Sequence, residues 1–204
     1  MQPPIKNIIF DFGDVFINLD KDIIFRKMAE YGGTSELTPA MTELNDIYEV
    51  GRISSEEFVA GLRKLYPEAT KDQVIDIWNG MLLDFPETRL KFLEQLAQEG
   101  QYRLFLLSNT NAMHIPYVEQ HMGSDRFQRF KNSFEKFYLS HEIHLRKPDL
   151  EIYRFVLDEN GLKAEETFFI DDTKANTDAA STLGIRCWNL QVGREDVVQL
   201  KSKL

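Results

Sequence analysis

An α/β fold is predicted, with a parallel sheet covered by helices on both faces and a helical insertion after the first strand. Three observations point to it. Short, continuously apolar runs alternate with helix-patterned segments, which is how a buried parallel sheet reads in sequence. The stretch from Ile17 to Leu90 carries helical patterns and no convincing strand. Asp11 closes the first apolar run and Asp171-Asp172 closes a late one, so two strands can deliver acids to one shared edge.

Asn7 to Phe10 reads as the first strand, ended by the polar turn Asp11-Phe12-Gly13-Asp14. Helices are then expected over Lys21 to Tyr31, Leu37 to Tyr48, Ser55 to Leu65 and Ala69 to Leu82, divided by Gly32-Gly33, Gly51 and Pro67. Ser54, with Glu57 three positions later, is a capping-box signal for the third of these. From Thr88, the residues Leu90, Phe92, Leu93 and Leu96 make an apolar stripe that Gly100 terminates. Strands follow over Arg103 to Leu107 and Lys136 to Leu139. A helix from Asp149 places Leu150, Tyr153, Val156 and Leu157 at helical spacing before Gly161 stops it. Thr167 to Ile170 and Arg186 to Trp188 complete the sheet. The expected division is a core of residues 1–16 and 91–204 and a helical cap of residues 17–90.

At 204 residues the chain can bury a substantial core, and one domain with a smaller insertion suits that length. With 24 basic against 33 acidic residues and a net charge of −9, a general nucleic-acid or anionic-membrane surface is not expected. The insertion itself holds eight basic and fourteen acidic residues, a poor clamp for a polyanion. A local basic pocket for a small phosphate remains compatible with this balance. The single cysteine, Cys187, sits in a strand-like segment and reads as a buried structural thiol. The apolar run after Met1-Gln2-Pro3-Pro4 is too short for a signal peptide or membrane span, so a soluble, cytoplasmic protein is the expectation. Periodicity leaves the choice between monomer and homodimer open.

Acids gathered at one strand edge repel each other unless a hard cation neutralises them, which makes Mg²⁺ the natural third party. Ser108-Asn109-Thr110 forms a polar turn at another strand end. There a hydroxyl and backbone N–H groups can hold phosphate oxygens, or simply cap a helix. Lys147 precedes Pro148, a suitable first-turn residue, and could equally be a surface lysine. Asn176 falls four residues beyond Asp172, on the same face of an opening helical turn.

Taken in order, Asp11-Phe12-Gly13-Asp14-Val15, Ser108-Asn109-Thr110, Arg146-Lys147-Pro148-Asp149 and Asp171-Asp172 resemble the four motifs of the haloacid dehalogenase superfamily. The helical insertion resembles its C1 caps, and the chain is similar to small sugar-phosphate phosphatases whose first motif carries glycine where others have a second aspartate. The resemblance implies a three-layer, Rossmann-like core and a Mg²⁺-dependent phosphomonoester hydrolase acting on a small phosphorylated metabolite, with a hexose 1-phosphate as one candidate. It implies that Asp11 attacks phosphorus and carries a phosphoaspartyl intermediate. Asp11, the Gly13 carbonyl and Asp172 would hold Mg²⁺, with Asp171 as a further ligand or orienting group and Asn176 behind them. Ser108, Asn109 and Lys147 would bind phosphate. Lys147 would also balance the charge of the pentavalent state. By likeness to the caps of the glycine-containing phosphatases, Asn45, Tyr48, Glu49 and Arg52 would contact the substrate, and His114 could approach the same pocket or serve an ordinary polar or packing role.

Gly13 departs from the usual pattern. Its carbonyl can ligate a metal, but it supplies no proton to a leaving group, a service generally worth about 100- to 10,000-fold. A substrate with an easily expelled alcohol resolves the difficulty, as does assistance through water from Asp14, although loop stabilisation is the expected role of Asp14. The series Phe127, Phe130, Phe134, Phe137 and Tyr138 reads as core packing rather than a nucleic-acid platform. The Asp-Phe-Gly triplet lacks the surroundings that it has in kinases. Two alternatives stand beside the phosphatase: a metal-independent haloacid dehalogenase, and a noncatalytic interaction protein on the same fold.

Overall fold

The computed structural model describes residues 3–32, 34 and 36–204; Met1, Gln2, Gly33 and Ser35 lie outside the described residues. The chain runs β1 (Asn7–Phe10), α1 (Ile23–Met28), α2 (Pro39–Glu49), α3 (Ser55–Leu65), α4 (Lys71–Asn79) and α5 (Glu87–Glu99). It continues through β2 (Arg103–Ser108), α6 (His114–Met122), α7 (Ser124–Asn132), β3 (Lys136–Leu139) and α8 (Ser140–Ile143). The last elements are α9 (Leu150–Asn160), β4 (Thr167–Asp171), α10 (Lys174–Ser181) and β5 (Arg186–Asn189).

All five strands pair in parallel, in the order β3-β2-β1-β4-β5. The first strand is therefore central, which is why every residue of Asn7-Ile8-Ile9-Phe10 is buried. Side chains alternate between the two faces of the sheet. Ile8, Phe10, Leu104, Leu106, Phe168 and Ile170 enter one cluster, and Ile9, Phe105, Leu107 and Phe169 enter the other. Helices α5, α6 and α7 cover the first face, and α9 and α10 the second.

The aromatic series divides between the faces as the pleat demands. Phe127, Phe130 and Phe134 are buried against Phe10, Phe12, Phe16 and Phe137, with tilted and edge-to-face ring pairs such as Phe130–Phe134 at 5.1 Å. Tyr138 packs in the opposite cluster. Cys187 lies on β5, half-buried rather than fully buried, and burial pushes its thiol up to about 12.

Helices α1 to α4 enclose a separate cluster that includes Met28, Met41, Tyr48, Phe58, Leu62 and Val74. Two capping boxes hold it: Ser54 with Glu57 at the start of α3, and Thr70 with Gln73 at the start of α4. The Thr70 cap explains why α4 begins two residues later than the apolar pattern suggests. Phe85, Leu90, Leu93 and Leu96 belong to the sheet cluster, so packing assigns all of α5 to the core, including residues 87–90 that the sequence pattern placed in the insertion.

The crossings between the two parts are residues 18–20 and 81–84, laced by Asn18 N–H to Asp84 O, Leu83 N–H to Asn18 O and Asp20 N–H to Met81 O at 2.8–2.9 Å. Leu19 and Leu82 form an antiparallel bridge within this ribbon.

Candidate active site

Register builds the site. Phe10 pairs with Ile170, so the next residues, Asp11 and Asp171, emerge side by side at the C-terminal edge of adjacent strands. Strands in a sheet lie about 4.8 Å apart, which fixes that approach. The Asp11 N–H donates to Ile170 O at 2.9 Å and anchors the first acid. Ligand atoms of Asp11, Asp171 and Asp172 all lie within 4.8 Å of one another.

Lys147 is 1% exposed and bridges the pair: its Nζ donates to Asp11 Oδ1 and to Asp171 Oδ2, each at 2.6 Å. The loop that carries it is pinned by Asn109. The Asn109 Oδ1 accepts from Lys147 N–H and its Nδ2 donates to Lys147 O, both at 2.9 Å. The side-chain amide of Asn109 is thereby committed to positioning Lys147. Pro148 is not in the first turn; Asp149 is the N-cap and α9 begins at Leu150.

Asp171, fully buried, accepts from Thr173 N–H at 2.8 Å and from Asn176 Nδ2 on both oxygens at 3.0–3.1 Å. Its lone pairs thus go largely to orienting partners. Asp172 is more open and pairs with Lys21 Nζ at 2.8 Å; Lys21 also reaches Asp14 at 2.9 Å. Asp14 adopts a left-handed φ of 55° and its Oδ1 accepts from Leu19 N–H at 3.0 Å. Both oxygens of Asp14 are thus engaged in holding the turn and Lys21. A Cβ on Gly13 would stand 2.8 Å from Leu19 Cδ1, so the residue that lacks a proton donor is also tightly overlaid.

Burial pushes the Asp11 carboxyl up to about 7, with Lys147 pulling against it and Asp171 and Asp172 adding to the rise. Burial also works against the Lys147 ammonium, yet Asp11 and Asp171 outweigh it and hold its pKa above the ordinary value. The Asp11 rise is thus chiefly loss of water, and the Lys147 rise is the attraction of its two carboxylates. Four carboxylates (Asp11, Asp14, Asp171, Asp172) surround two ammonium groups (Lys21, Lys147), leaving two negative charges. A hard divalent cation with oxygen ligands fits both that charge and that donor set.

A cavity of about 430 Å³ lies beside these acids and is lined from both parts of the chain. The core contributes Gly13, Ser108, Asn109, Thr110 and Arg146, and the helices contribute Asn45, Asp46, Glu49 and Trp78. Ser108 is 2% exposed, and Ser140 Oγ clamps the backbone of Thr110 by accepting from its N–H at 2.9 Å and donating to its O at 3.0 Å. Asn45 and Glu49, four positions apart on α2, share the helix face that lines the cavity.

Tyr48 and Arg52 do not line this cavity. Tyr48 is 1% exposed, stacked on Phe58 at 4.2 Å with its hydroxyl 2.7 Å from Ser55 Oγ, and so belongs to the helical cluster; Arg52 is exposed beyond the end of α2. His114 lines the cavity but is occupied. Its Nε2 lies 3.3 Å from Trp78 O and its Nδ1 lies 3.2 Å from Asn111 Nδ2, and burial pushes its imidazole down to about 4, so the ring is neutral.

Sequence reasoning missed Lys21, Ser140, Asp46 and Arg146. Arg146 joins the two parts: Nη1 is 2.9 Å from Asp46, and Nε and Nη2 donate to Glu49 Oε2 at 3.2 and 3.0 Å. Burial pushes the Glu49 carboxyl up, with Arg146 opposing. Lys21 and Arg146 are long, flexible side chains on connecting segments, and no local pattern announces which partner folding brings them.

A haloacid dehalogenase-like hydrolase family model matches residues 5–184. The D-ribitol-5-phosphate phosphatase of Bacteroides thetaiotaomicron is 28% identical over 200 residues, 94% of each chain. A solved haloacid dehalogenase family enzyme from Bacteroides thetaiotaomicron superposes with a TM-score of 0.88 at 33% identity, covering 98% of this chain and 99% of that one. Such an enzyme from that organism, in complex with magnesium and inorganic phosphate, gives a TM-score of 0.77 at 31% identity over 94% and 96% of the two chains. On the extent of the family match, which runs from before β1 to beyond α10 and takes in all four acidic and basic motifs, the chain belongs to the haloacid dehalogenase-like hydrolases.

Proposed function

We propose that this hydrolase is a Mg²⁺-dependent phosphomonoesterase of a small phosphorylated metabolite, acting through Asp11 as nucleophile. The observation that carries the reading is the buried Asp11–Lys147–Asp171 bridge beside Asp172 at one strand edge. Magnesium and phosphate in the similar solved enzyme support it. When bound among Asp11, the Gly13 carbonyl and Asp172, the cation supplies positive charge against the phosphoryl oxygens.

The chain's own groups do the remainder. Lys147 holds Asp11 Oδ1, which aims Oδ2 at phosphorus. Ser108 and the turn after β2 receive the phosphoryl oxygens. As the Asp11 oxygen bonds to phosphorus, the ester P–O bond breaks and its electron pair leaves with the alcohol oxygen. Asp14 is committed to Leu19 and Lys21, so that oxygen takes its proton from water. A second water then attacks phosphorus and gives a proton to the hydroxide left by the first, and the phosphorus–Asp11 oxygen bond breaks with its electron pair returning to the carboxylate as phosphate leaves. Helices α1 to α4 act as the cap over the cavity, with Asn45 and Glu49 facing the leaving group. Among sugar and polyol phosphates, a hexose 1-phosphate and the D-ribitol 5-phosphate of the similar enzyme are the substrates to assay first. No described helix is long and apolar enough to cross a membrane, and we place the enzyme in the cytoplasm as a monomer or homodimer.

Phosphate release from a panel of such esters is expected with Mg²⁺, to stop with a chelator, and to fall by at least about 1,000-fold in Asp11→Asn. Undiminished release by that variant would end the proposal.

A further inference from the structure

Resting on the phosphatase reading, we propose that Asp46, Glu49 and Arg146 form an acceptor subsite that selects phosphate esters of neutral, polyhydroxylated alcohols and rejects esters bearing a second anionic group. All three nitrogens of the Arg146 guanidinium are spent on α2. Nη1 lies 2.9 Å from Asp46 Oδ1, and Nε and Nη2 share Glu49 Oε2 at 3.2 and 3.0 Å. Each acid keeps a second oxygen outside these Arg146 contacts, Glu49 Oε1 and Asp46 Oδ2, on residues that line the cavity, and Asn45 is a further hydrogen-bond partner of the Glu49 carboxyl. An ionised carboxylate only accepts hydrogen bonds.

The charges point the same way. Two carboxylates around one guanidinium leave one negative charge, held at a half-buried location where solvent screens it weakly. A ligand hydroxyl can donate to these carboxylates. A carboxylate or second phosphate has no proton to give there and meets repulsion.

Position ties this subsite to the reaction. The three residues line the same cavity as Gly13 and Ser108. Arg146 is also bonded through the chain to Lys147, whose ammonium is 2.6 Å from Asp11. Other walls of the cavity are apolar, with Phe25 and Leu82 among them; Trp78 also lines it, and its buried indole N–H has no partner among the described residues. A polyol or sugar chain suits such a space, since its hydroxyls donate and accept along the edges while its C–H faces pack on apolar walls.

The test uses matched esters that differ only by oxidation of a terminal CH₂OH to carboxylate: ribitol 5-phosphate against ribonate 5-phosphate, and glycerol 3-phosphate against 3-phosphoglycerate. With Mg²⁺, the wild-type protein is expected to favour the neutral member by about 10- to 100-fold in kcat/KM. The Asp46→Asn/Glu49→Gln double variant keeps the shape, removes the charge, and is expected to shrink that ratio to about threefold or less. If the double variant does not fold, each single substitution must still move the ratio in the same direction. Equal turnover of both members by the wild type, an unchanged ratio in the variants, or turnover of p-nitrophenyl phosphate with neither pair consumed would each overturn the subsite. Failure of the phosphatase reading looks different, as no Mg²⁺-dependent, Asp11-dependent release from any ester.

Discussion

Asp11 and Lys147 illustrate what a buried ionic site costs. Placing carboxylates and an ammonium out of water carries a penalty of several kcal/mol per ion, recovered only through close geometry and added hydrogen bonds. Asn109, Asn176 and the Thr173 N–H supply those bonds, so much of the polar structure here exists to keep Lys147 and Asp171 in place. His114 is buried without a charge partner, and that has a pH signature. Above pH 6.5 neither the folded nor the unfolded chain protonates this ring; between 6.5 and about 4 the unfolded chain binds a proton that the folded one refuses. Stability therefore declines as pH falls through that window, by roughly 2–3 kcal/mol from this group. Urea unfolding at pH 7.5 and pH 5 is expected to show a smaller difference in His114→Gln than in the wild type, and an equal difference would contradict the assignment. The acids were legible in sequence because each closes an apolar run, and adjacent register then makes them neighbours. Tyr48 was not separable from Asn45 and Glu49. All three lie on one helix within four positions, and only the docking of that helix decides that the ring turns inward while the two polar groups meet the cavity.

Helix α2 is attached to the core at its C-terminal end by backbone proximity as well as by Arg146. Gly51 has a φ of 67°, a Cβ there would collide with His141 O, and His144 Nδ1 lies 2.9 Å from Val50 O. Gly51→Ala is thus expected to destabilise the protein by about 1–3 kcal/mol through left-handed strain and lost docking. Thermal unfolding would show it, and a melting temperature equal to wild type would refute the close approach. All four helices expected in the insertion are present; Ser55–Leu65 keeps its expected bounds and the other three have shifted ends. The first is α-helical only over Ile23–Met28, then tightens to a 3₁₀ turn at Ala29–Tyr31. Apolar spacing reports which face is buried, whereas ends are set by caps, and Thr70 with Gln73 carried a cap signal as plain as that of Ser54 with Glu57. The short helix α8 had no such signal, since four residues are too few to show a period.

At the scale of the whole molecule, the described residues form two sheet-face cores and a third among α1 to α4. The parallel alternation of strand and helix made the first two readable, because continuously apolar strands are diagnostic of a sheet covered on both sides. How the third sits on them depends on Arg146, His114 and Lys21, which are long-range partners that no window of sequence contains. Regions joined through few contacts open independently of the rest. Amide exchange is accordingly expected to be slowest in β1, β2 and β4 and faster throughout α1 to α4, and uniform protection across both would argue against separable cores. The laced crossings at residues 18–20 and 81–84 set how such opening proceeds. Two segments stitched by three backbone hydrogen bonds and one bridge resist twisting or sliding past each other more than two loose linkers would. Lys21 with Asp172, Arg146 with α2 and Trp78 with His114 all span the same join, so a swing of that strip strains the three contacts together.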